Sequence, residues 1–317
     1  MTTVQLPSDA LDATQAASRI EAANSPLRQS IQRFFRNRLA AIGLVFVVVI
    51  TGGGLLAPVI ATTSYDFAVL KDALKFPPCA DPKSSLAFPD CMFAKYPLGT
   101  DAIGRDFWSR LIYGARTSMI VGFSVPLITL AIGLPLGAAA GWFGGWVDAT
   151  VLRLVEFMTA VPSILLALFL LTLFGHDLQN VIMFQGITGW VGVCRLGRAQ
   201  FMTLRERDFV TAARALGMSE WSIMIRHVMV NAAGPIIVMF TLGIPGAIFG
   251  EAGLSFLGLG VNDPIPSWGK MVAESSRFAS VYWYLAMIPT GCIAVTMLAF
   301  SFLGDGLRDA LDPQGQR

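Results

Sequence analysis

The sequence predicts an all-α, polytopic membrane protein with six transmembrane helices. Hydrophobic residues make up 54% of the 317 residues and charged residues only 14%, and the mean hydropathy of +0.62 is far above that of soluble domains. Uncharged apolar runs recur along the chain. A helix needs roughly 20 residues to cross a hydrocarbon layer of about 30 Å, and these runs are long enough to do so. Because these runs are continuously apolar rather than alternating, they do not fit a membrane β-barrel.

Several function classes are disfavoured by the same sequence. The net charge of +2, without a basic tract, argues against a nucleic-acid partner. No CxxC or Cys/His cluster indicates a metal site, and His176 and His227 join no nucleophile, so a membrane-embedded enzyme with catalytic residues is not expected. The chain lacks a G-x-x-x-x-G-K-[ST] loop for nucleotide phosphates, and we expect it to bind no cofactor itself.

The distribution of arginines orients the predicted spans. Arginines before the first span, between spans four and five, and after span six place both termini in the cytoplasm under the positive-inside rule. The first residues lack the pattern of a cleaved signal peptide. The second span is expected to end in a tight turn at 141–146. The predicted spans are 39–60, a segment from about 116 to that turn, 151–174, 181–198, 228–250 and 281–303.

These spans divide the chain into three predicted parts. Residues 1–38 form an N-terminal cytoplasmic tail, residues 39–306 form a six-helix domain, and residues 307–317 form a C-terminal cytoplasmic tail. Within the domain, residues 61–111 are expected to be an extracytoplasmic loop. Residues 205–226, called the connecting loop below, are expected to lie in the cytoplasm.

The connecting loop contains a charged, helix-forming stretch, DFVTAARALGMSEW, at residues 208–221. Gly217 is a plausible helix stop and Ser219 an N-cap, which predicts two short helices bent at Gly217. Small side chains at Ala212 and Ala213 would let another surface approach, and Leu216 or Met218 could insert as a knob. Physical reasoning alone leaves two interpretations open: a helix resting on anionic lipid, or a docking site for a partner.

The Ala212-Ala213-x-x-x-Gly217 core resembles the "EAA" loop of the membrane subunits of ABC importers. In that family the loop carries a coupling helix that fits a cleft in the ATPase subunit. Two residues depart from the family pattern, since Thr211 replaces the usual Glu and Val230 replaces the usual Pro. The resemblance implies an ATPase-coupling role for Thr211, Ala212, Ala213, Arg214, Leu216, Gly217 and Met218.

Two longer stretches, at 96–116 and 250–269, resemble the C-type permease of dipeptide and oligopeptide importers, and the similarity covers about residues 30–310. This resemblance implies a type I importer architecture, peptide cargo and a bacterial cytoplasmic membrane. Other cargoes of the family, nickel chelates and haem, stay open, and a self-sufficient secondary transporter is a rival without a convincing inverted repeat. The implied partners are a second related permease, one or two ATPase subunits or a fused ATPase that would bind ATP and Mg²⁺, and an extracytoplasmic solute-binding protein.

Two candidate features remain on the outer side. The glycines and prolines of residues 254–268 favour a non-helical outer gate or a plain surface turn, with Glu251 either part of the gate or solvated at the interface. Cys79 and Cys91 are expected to form a disulfide in an oxidising compartment. The candidate gate residues are Glu251, Phe256, Leu257 and Trp268.

Overall fold

The computed structural model describes residues 26–79 and 95–311. The chain before Pro26, residues 80–94 with Cys91, and residues 312–317 lie outside the described residues, so expectations for those segments stay predictions. Within the described ranges the chain forms helices, turns and two isolated bridges, but no strand. The predicted all-α class is confirmed.

The helices follow one another with short connections except on either side of α11 and between α3 and α4. A π-helical turn, Met224–Val228, joins α9 to α10, and single 3-10 turns lie at Leu70–Asp72 and Ser276–Phe278. The described α-helices are, in chain order, α1 (Pro26–Arg36), α2 (Arg38–Leu55), α3 (Ala57–Ile60), α4 (Phe107–Phe143), α5 (Gly145–Ala160), α6 (Ser163–Phe174), α7 (Leu178–Arg205), α8 (Asp208–Ala215), α9 (Glu220–Ile223), α10 (Met229–Phe256), α11 (Trp268–Ser275) and α12 (Trp283–Leu311).

Four helices of the described residues are long and apolar enough to cross a membrane: α2, α4, the continuous helix Glu220–Phe256, and α12. The pair α5 and α6 adds a fifth if its two parts, bent by 77°, count as one span. Helix α7, which matches predicted span four, has 28 residues but is diluted by polar ones. The protein is therefore a multi-pass membrane protein with four or five spans by this measure, and a sixth stays a prediction.

The structure corrects one predicted feature of the spans and adds another. Helix α4 does not end in a turn at Gly141 but continues to Phe143, because Trp142 is buried in the core beneath the connecting loop. The turn is confined to Gly144 and Gly145, which have φ angles of +67° and +54°. The segment predicted as span three is bent, a feature not predicted from the sequence, since Val161 before Pro162 is extended (φ −93°, ψ 123°), as a residue preceding proline prefers.

Domain boundaries also shift by a few residues. Helix α4 begins at Phe107, inside the predicted extracytoplasmic loop, with Asp106 as its N-cap accepting a hydrogen bond from Ser109 N at 3.1 Å. At the other end of the chain, α12 continues past the predicted boundary at 306 to Leu311. The predicted tail after 306 is thus partly helical.

The closest helix packing joins α4 to α7. Small residues recur at every fourth position of α4, a pattern that lets two membrane helices bring their backbones together. At three of these positions the residue is glycine, and a Cβ added there would lie far inside van der Waals distance of a carbonyl oxygen of α7. These approaches are 2.5 Å for Gly133 to Trp190 O, 2.3 Å for Gly137 to Cys194 O and 2.4 Å for Gly141 to Arg198 O.

The remaining long helices pack on other sides of α4. A core of buried side chains joins Met119 of α4 to Ile244 of α10 and to Phe300 of α12, and Trp268 and Met271 bring α11 into the same core. Helix α4 therefore packs directly against α2, α7 and α10, whereas α12 packs on α2 and α10 and reaches α4 through the contact of the Phe300 ring with the Phe123 ring.

Replacing Gly137 by Ala tests the α4–α7 packing. The new methyl group would overlap the Cys194 carbonyl, and we expect the folded state to lose about 1–3 kcal/mol, as in other overpacked interiors. The matched control is Gly192→Ala in α7, where an added Cβ meets nothing within 4 Å. Thermal unfolding of the two purified variants should separate them, and equal melting temperatures would contradict the packing.

Candidate functional site

The connecting loop is built from two short helices joined by a tight turn. Helix α8 ends at Ala215 and is terminated by Gly217, whose φ is +80°. Gly217 N donates to Arg214 O at 2.9 Å, and Met218 N donates to Ala213 O at 3.2 Å. This is a Schellman termination, which favours glycine at the left-handed position. The Ser219 hydroxyl then accepts from Ser222 N at 3.4 Å as the N-cap of α9. The predicted pair of helices bent at Gly217 is confirmed.

An ion pair links the two short helices. Arg214 Nε lies 2.7 Å from Glu220 Oε1 and Arg214 Nη2 lies 3.0 Å from Glu220 Oε2, and the guanidinium carbon is 5.4 Å from the Trp142 ring centroid. The hydrogen bonds to the Glu220 carboxylate raise the pKa of Arg214 above its usual value. Since both side chains are partly exposed, such a pair contributes only about 0.2–1 kcal/mol, and its two hydrogen bonds bridge the helices on either side of the bend.

The inner face of the loop is seated on the ends of α4 and α7. Val210 and Ile223 are fully buried, and Ala213 is 6% exposed. They pack in one core with Trp142 of α4 and Phe201 of α7. The loop is therefore held by apolar burial and is part of the helical framework.

The outer face of the loop is unusually apolar for an exposed surface. Leu216 is 84% exposed and Trp221 is 64% exposed, and Thr211 and Ala212 are exposed beside them. These four residues are called the exposed face of the connecting loop below. Of the residues predicted to couple to an ATPase, the structure turns Ala213 inward and half-buries Met218, and it exposes Thr211, Ala212, Arg214, Leu216 and Gly217.

Glu251 is fully buried in α10, so its interpretation as a solvated interfacial residue is wrong. Its Oε1 accepts hydrogen bonds from Ser255 Oγ at 2.7 Å and from Ser267 Oγ at 2.6 Å. Its Oε2 has no partner among the described atoms. Helix α10 continues through Glu251 to Phe256, and Ser267 of the segment that follows covers the carboxylate, a tertiary contact that the local sequence does not encode.

The other candidate gate residues separate into two environments. Trp268 is 2% exposed, and its Nε1 donates to Leu111 O at 3.0 Å, which ties α11 to α4. Phe256 and Leu257 are exposed at the end of α10. The chain between them is not a plain surface turn, because Leu259 and Val261 are buried against α6 and α7.

A network of charged side chains ties the segment before α4 to the segment after α10, and the sequence analysis did not predict it. Its centre is two arginines, Arg105 and Arg110, which are 9% and 1% exposed at their side chains. Three carboxylates from different segments surround them. The contacts are Arg105 Nε to Asp101 Oδ2 at 2.5 Å, Arg105 Nη2 to Glu274 Oε2 at 3.2 Å, Arg105 Nη1 to Asp263 Oδ1 at 3.4 Å, and Arg110 Nη2 to Glu274 Oε2 at 2.9 Å.

This network lines an open cavity of about 650 Å³ beside α11. Partial burial alone would raise the pKa of Asp263. The positive charges of Lys270 and Arg105 outweigh the effect of burial and hold this pKa below its usual value. Lys270 Nζ lies 3.0 Å from Asp263 Oδ1. The only sequence signal for the network was the spacing of Asp101, Arg105 and Arg110 ahead of a long apolar run. The other two carboxylates, Asp263 and Glu274, lie more than 150 residues from the arginines along the chain, so only the fold reveals the pairing.

Cys79 is disulfide-bonded, whereas Cys194 and Cys292 are free thiols. Cys91 lies outside the described residues, so the Cys79 to Cys91 pairing stays a prediction.

A chain of a solved methionine ABC transporter, MetNI in inward-facing conformations, shares this fold. The two superpose with a TM-score of 0.52 at 18% identity, covering 64% of this chain and 96% of that chain. The fold and the seated loop thus define a multi-pass membrane protein built like a chain of an ABC transporter.

The chain belongs to the family described as binding-protein-dependent transport system inner membrane component, which it matches over residues 133–315. Residues 25–78 match a second description, the N-terminal transmembrane domain of oligopeptide transport permease C. These matches confirm the resemblance found in the sequence. They also make this chain the membrane component of a transport system rather than an enzyme.

Relatives from several bacteria match over most of the chain. The dipeptide transport system permease protein DppC of Alkalihalophilus pseudofirmus is 37% identical over 92% of this chain and 90% of its own length. The di/tripeptide transport system permease protein DppC of Pseudomonas aeruginosa is 38% identical over 92% of this chain and 93% of its own length. The oligopeptide transport system permease protein OppC of Escherichia coli K12 is 33% identical over 89% of each chain.

Substitutions at Gly217 test the turn of the connecting loop. An added Cβ meets nothing within 4 Å there, so the cost of Gly217→Ala is that of the left-handed backbone alone, about 1–2 kcal/mol. Gly217→Asn should cost less, because asparagine tolerates this conformation. Amide hydrogen exchange across residues 208–218 should increase in the order Gly, Asn, Ala. Exchange that is equal in all three would contradict the role of the turn.

Two substitutions distinguish the roles of the Glu251 side chain. Glu251→Gln keeps an acceptor for Ser255 and Ser267, whereas Glu251→Ala leaves two buried hydroxyls without it, a loss of about 1–3 kcal/mol. We expect the Gln variant to unfold near the native temperature and the Ala variant well below it. If the Gln variant were as damaged as the Ala variant, a negative charge at this position would be required instead.

Proposed function

We propose that this chain forms one half of the pathway of an ATP-driven importer of dipeptides and oligopeptides. The peptide cargo is supported by three relatives named for dipeptides, di/tripeptides or oligopeptides, each of which covers most of the chain. A second, related permease completes the pathway. Nickel chelates and haem are the cargoes that a transport assay must exclude.

The observation that carries the coupling role is the exposed face of the connecting loop. It presents Leu216 and Trp221 to the surroundings while the opposite face is buried on α4 and α7. A partner that covers this face removes a large apolar area from water, which favours association. The partner is an ATPase, present as one or two subunits or in fused form, and it supplies the ATP and Mg²⁺ chemistry that this chain lacks the sequence motif to perform.

The arginines around the connecting loop support a cytoplasmic position for it and for both termini. In this orientation the charged network around Arg105 and Arg110 faces the opposite side, toward an extracytoplasmic solute-binding protein. The membrane is the cytoplasmic membrane of a bacterium, which the family description as an inner membrane component and the bacterial origin of the relatives support.

Transport then requires that a displacement of the connecting loop also moves the membrane-spanning helices. Ile223 lies in the continuous helix Glu220–Phe256, so a push on the loop acts directly on α10 as well as on α7. Rigid-body movement of α7 and α10 would switch the pathway between inward-facing and outward-facing states, with ATPase closure favouring one of them.

Leu216→Glu tests the docking of the ATPase. A charge on the most exposed leucine of the loop should weaken ATPase binding without disturbing the buried face, and we expect ATP-driven peptide uptake in proteoliposomes to fall at least tenfold, equal to about 1.4 kcal/mol. Retention of ATPase subunits during purification is the direct readout. Ala212→Trp, which adds bulk on the same face, should act in the same direction.

The matched control is Leu70→Glu, because Leu70 is 80% exposed but lies in the loop before α4. This variant should retain the ATPase subunits. Normal ATPase retention and uptake by Leu216→Glu would contradict the docking proposal, and uptake by this chain alone without ATP would favour a secondary transporter. Competition by nickel chelates or haem, but not by peptides, would contradict the cargo.

A further inference from the structure

Helix α1 has two chemically distinct faces. At 100° per residue, Ile31, Phe34 and Phe35 fall within an arc of about 100°, and Arg33 and Arg36 fall outside it. Residues 26–38 contain no Asp or Glu. The helix is therefore amphipathic with a basic polar face, a composition typical of helices that lie in the plane of a membrane interface.

Only part of the apolar face is used within the chain. Phe34 is 8% exposed and packs with Ala40 of α2 and Ala310 of α12. Gly306 makes this possible, since an added Cβ there would lie 2.2 Å from Ala40 Cβ. The docked Phe34 fixes the rotation of α1 and leaves the Ile31 and Phe35 side of the helix uncovered, at 54% and 57% exposure.

The position of α1 identifies what covers that side. A single residue, Asn37, separates α1 from α2, which is one of the candidate membrane spans. The Asn37 side chain caps α2 by accepting from Leu39 N at 3.1 Å and Ala40 N at 3.3 Å. Helix α1 therefore ends one residue before the span begins, which places it at the boundary of the hydrocarbon. The exposed apolar side chains continue from α1 onto α2 at Leu39, Ile42 and Phe46.

Within residues 26–79 and 95–311, the arginines of this region have no anionic partner. No ion pair of the described residues involves Arg33, Arg36 or Arg38. Arg33 and Arg36 lie in the last turn of α1, where the helix dipole favours cations, but their guanidinium groups are left to bind an external group. Guanidinium forks match phosphate oxygens in geometry and charge.

We propose that α1 is an interfacial helix that binds anionic phospholipid, with Ile31 and Phe35 among the acyl chains and Arg33, Arg36 and Arg38 on the headgroup phosphates. The occupant is lipid rather than another subunit, because the uncovered apolar side is continuous with the surface of α2. The proposal requires α2 to cross the membrane. It does not depend on the cargo or on ATPase coupling.

The role of the arginine charges is tested in phosphatidylcholine nanodiscs that contain the full chain with its co-purifying subunits. Fluorescent phosphatidylglycerol is added in steps, and its affinity for the complex is measured. Replacing Arg33 or Arg36 by Gln should weaken the affinity about fivefold each, the effect of one basic residue near an anionic surface. Arg33→Lys should retain most of it, and Arg277→Gln, an exposed arginine beside the outer cavity, should change nothing. Equal affinity of the Arg33→Gln/Arg36→Gln double variant and the native protein would overturn the proposal.

The position of the apolar side is tested separately, so that a folding defect cannot imitate the result. A photoreactive benzoylphenylalanine replaces Phe35, and the cross-linked product is identified by mass spectrometry. A lipid acyl adduct is expected at position 35, with at least tenfold less at the exposed polar-face position Gln32. A cross-link from position 35 to another protein subunit, or equal lipid adducts at both positions, would overturn the proposal.

Discussion

The backbone contact between α4 and α7 is the constraint on which the rest of the structure depends. In a bilayer, apolar side chains gain little by leaving lipid for protein, so helices associate through close packing of small residues. Gly133, Gly137 and Gly141 provide such packing on α4. Because Trp142 follows Gly141 directly and Phe201 lies near the end of α7, the same contact creates the apolar floor that holds the connecting loop.

The connecting loop therefore acts as a rigid connection and not as a flexible linker. Its inner side chains are buried to the same degree as those of the membrane core, and the pair Arg214 and Glu220 bridges α8 and α9. The loop is connected to α4 and α7 through packing. It is connected to α10 through the continuous helix Glu220–Phe256.

The sequence predicted those features that depend on neighbouring residues. The stop at Gly217 and the cap at Ser219 follow from local backbone preferences, and the long apolar runs follow from the thickness of the bilayer. It could not predict that Ala213 is buried while the adjacent Ala212 is exposed, or that Glu251 is covered by Ser267. Those outcomes depend on contacts between segments distant in sequence. The bend at Pro162 has a local cause, because a residue preceding proline prefers an extended backbone, but the apolar run of 151–174 by itself predicts one span.

Helix α10 links the two sides of the molecule, and its own sequence decides how movement is shared between them. At one end it continues from the connecting loop, and at the other Glu251 holds Ser267 at the start of α11. A straight helix would transmit a rotation unchanged over this distance. The π-helical turn at Met224–Val228 and the prolines at 235 and 245 interrupt the regular hydrogen bonding, so bending costs least there. The outer segment is packed through Trp268 at one end of α10, and these interruptions lie between it and the connecting loop, so the two ends of α10 are not rigidly tied to each other.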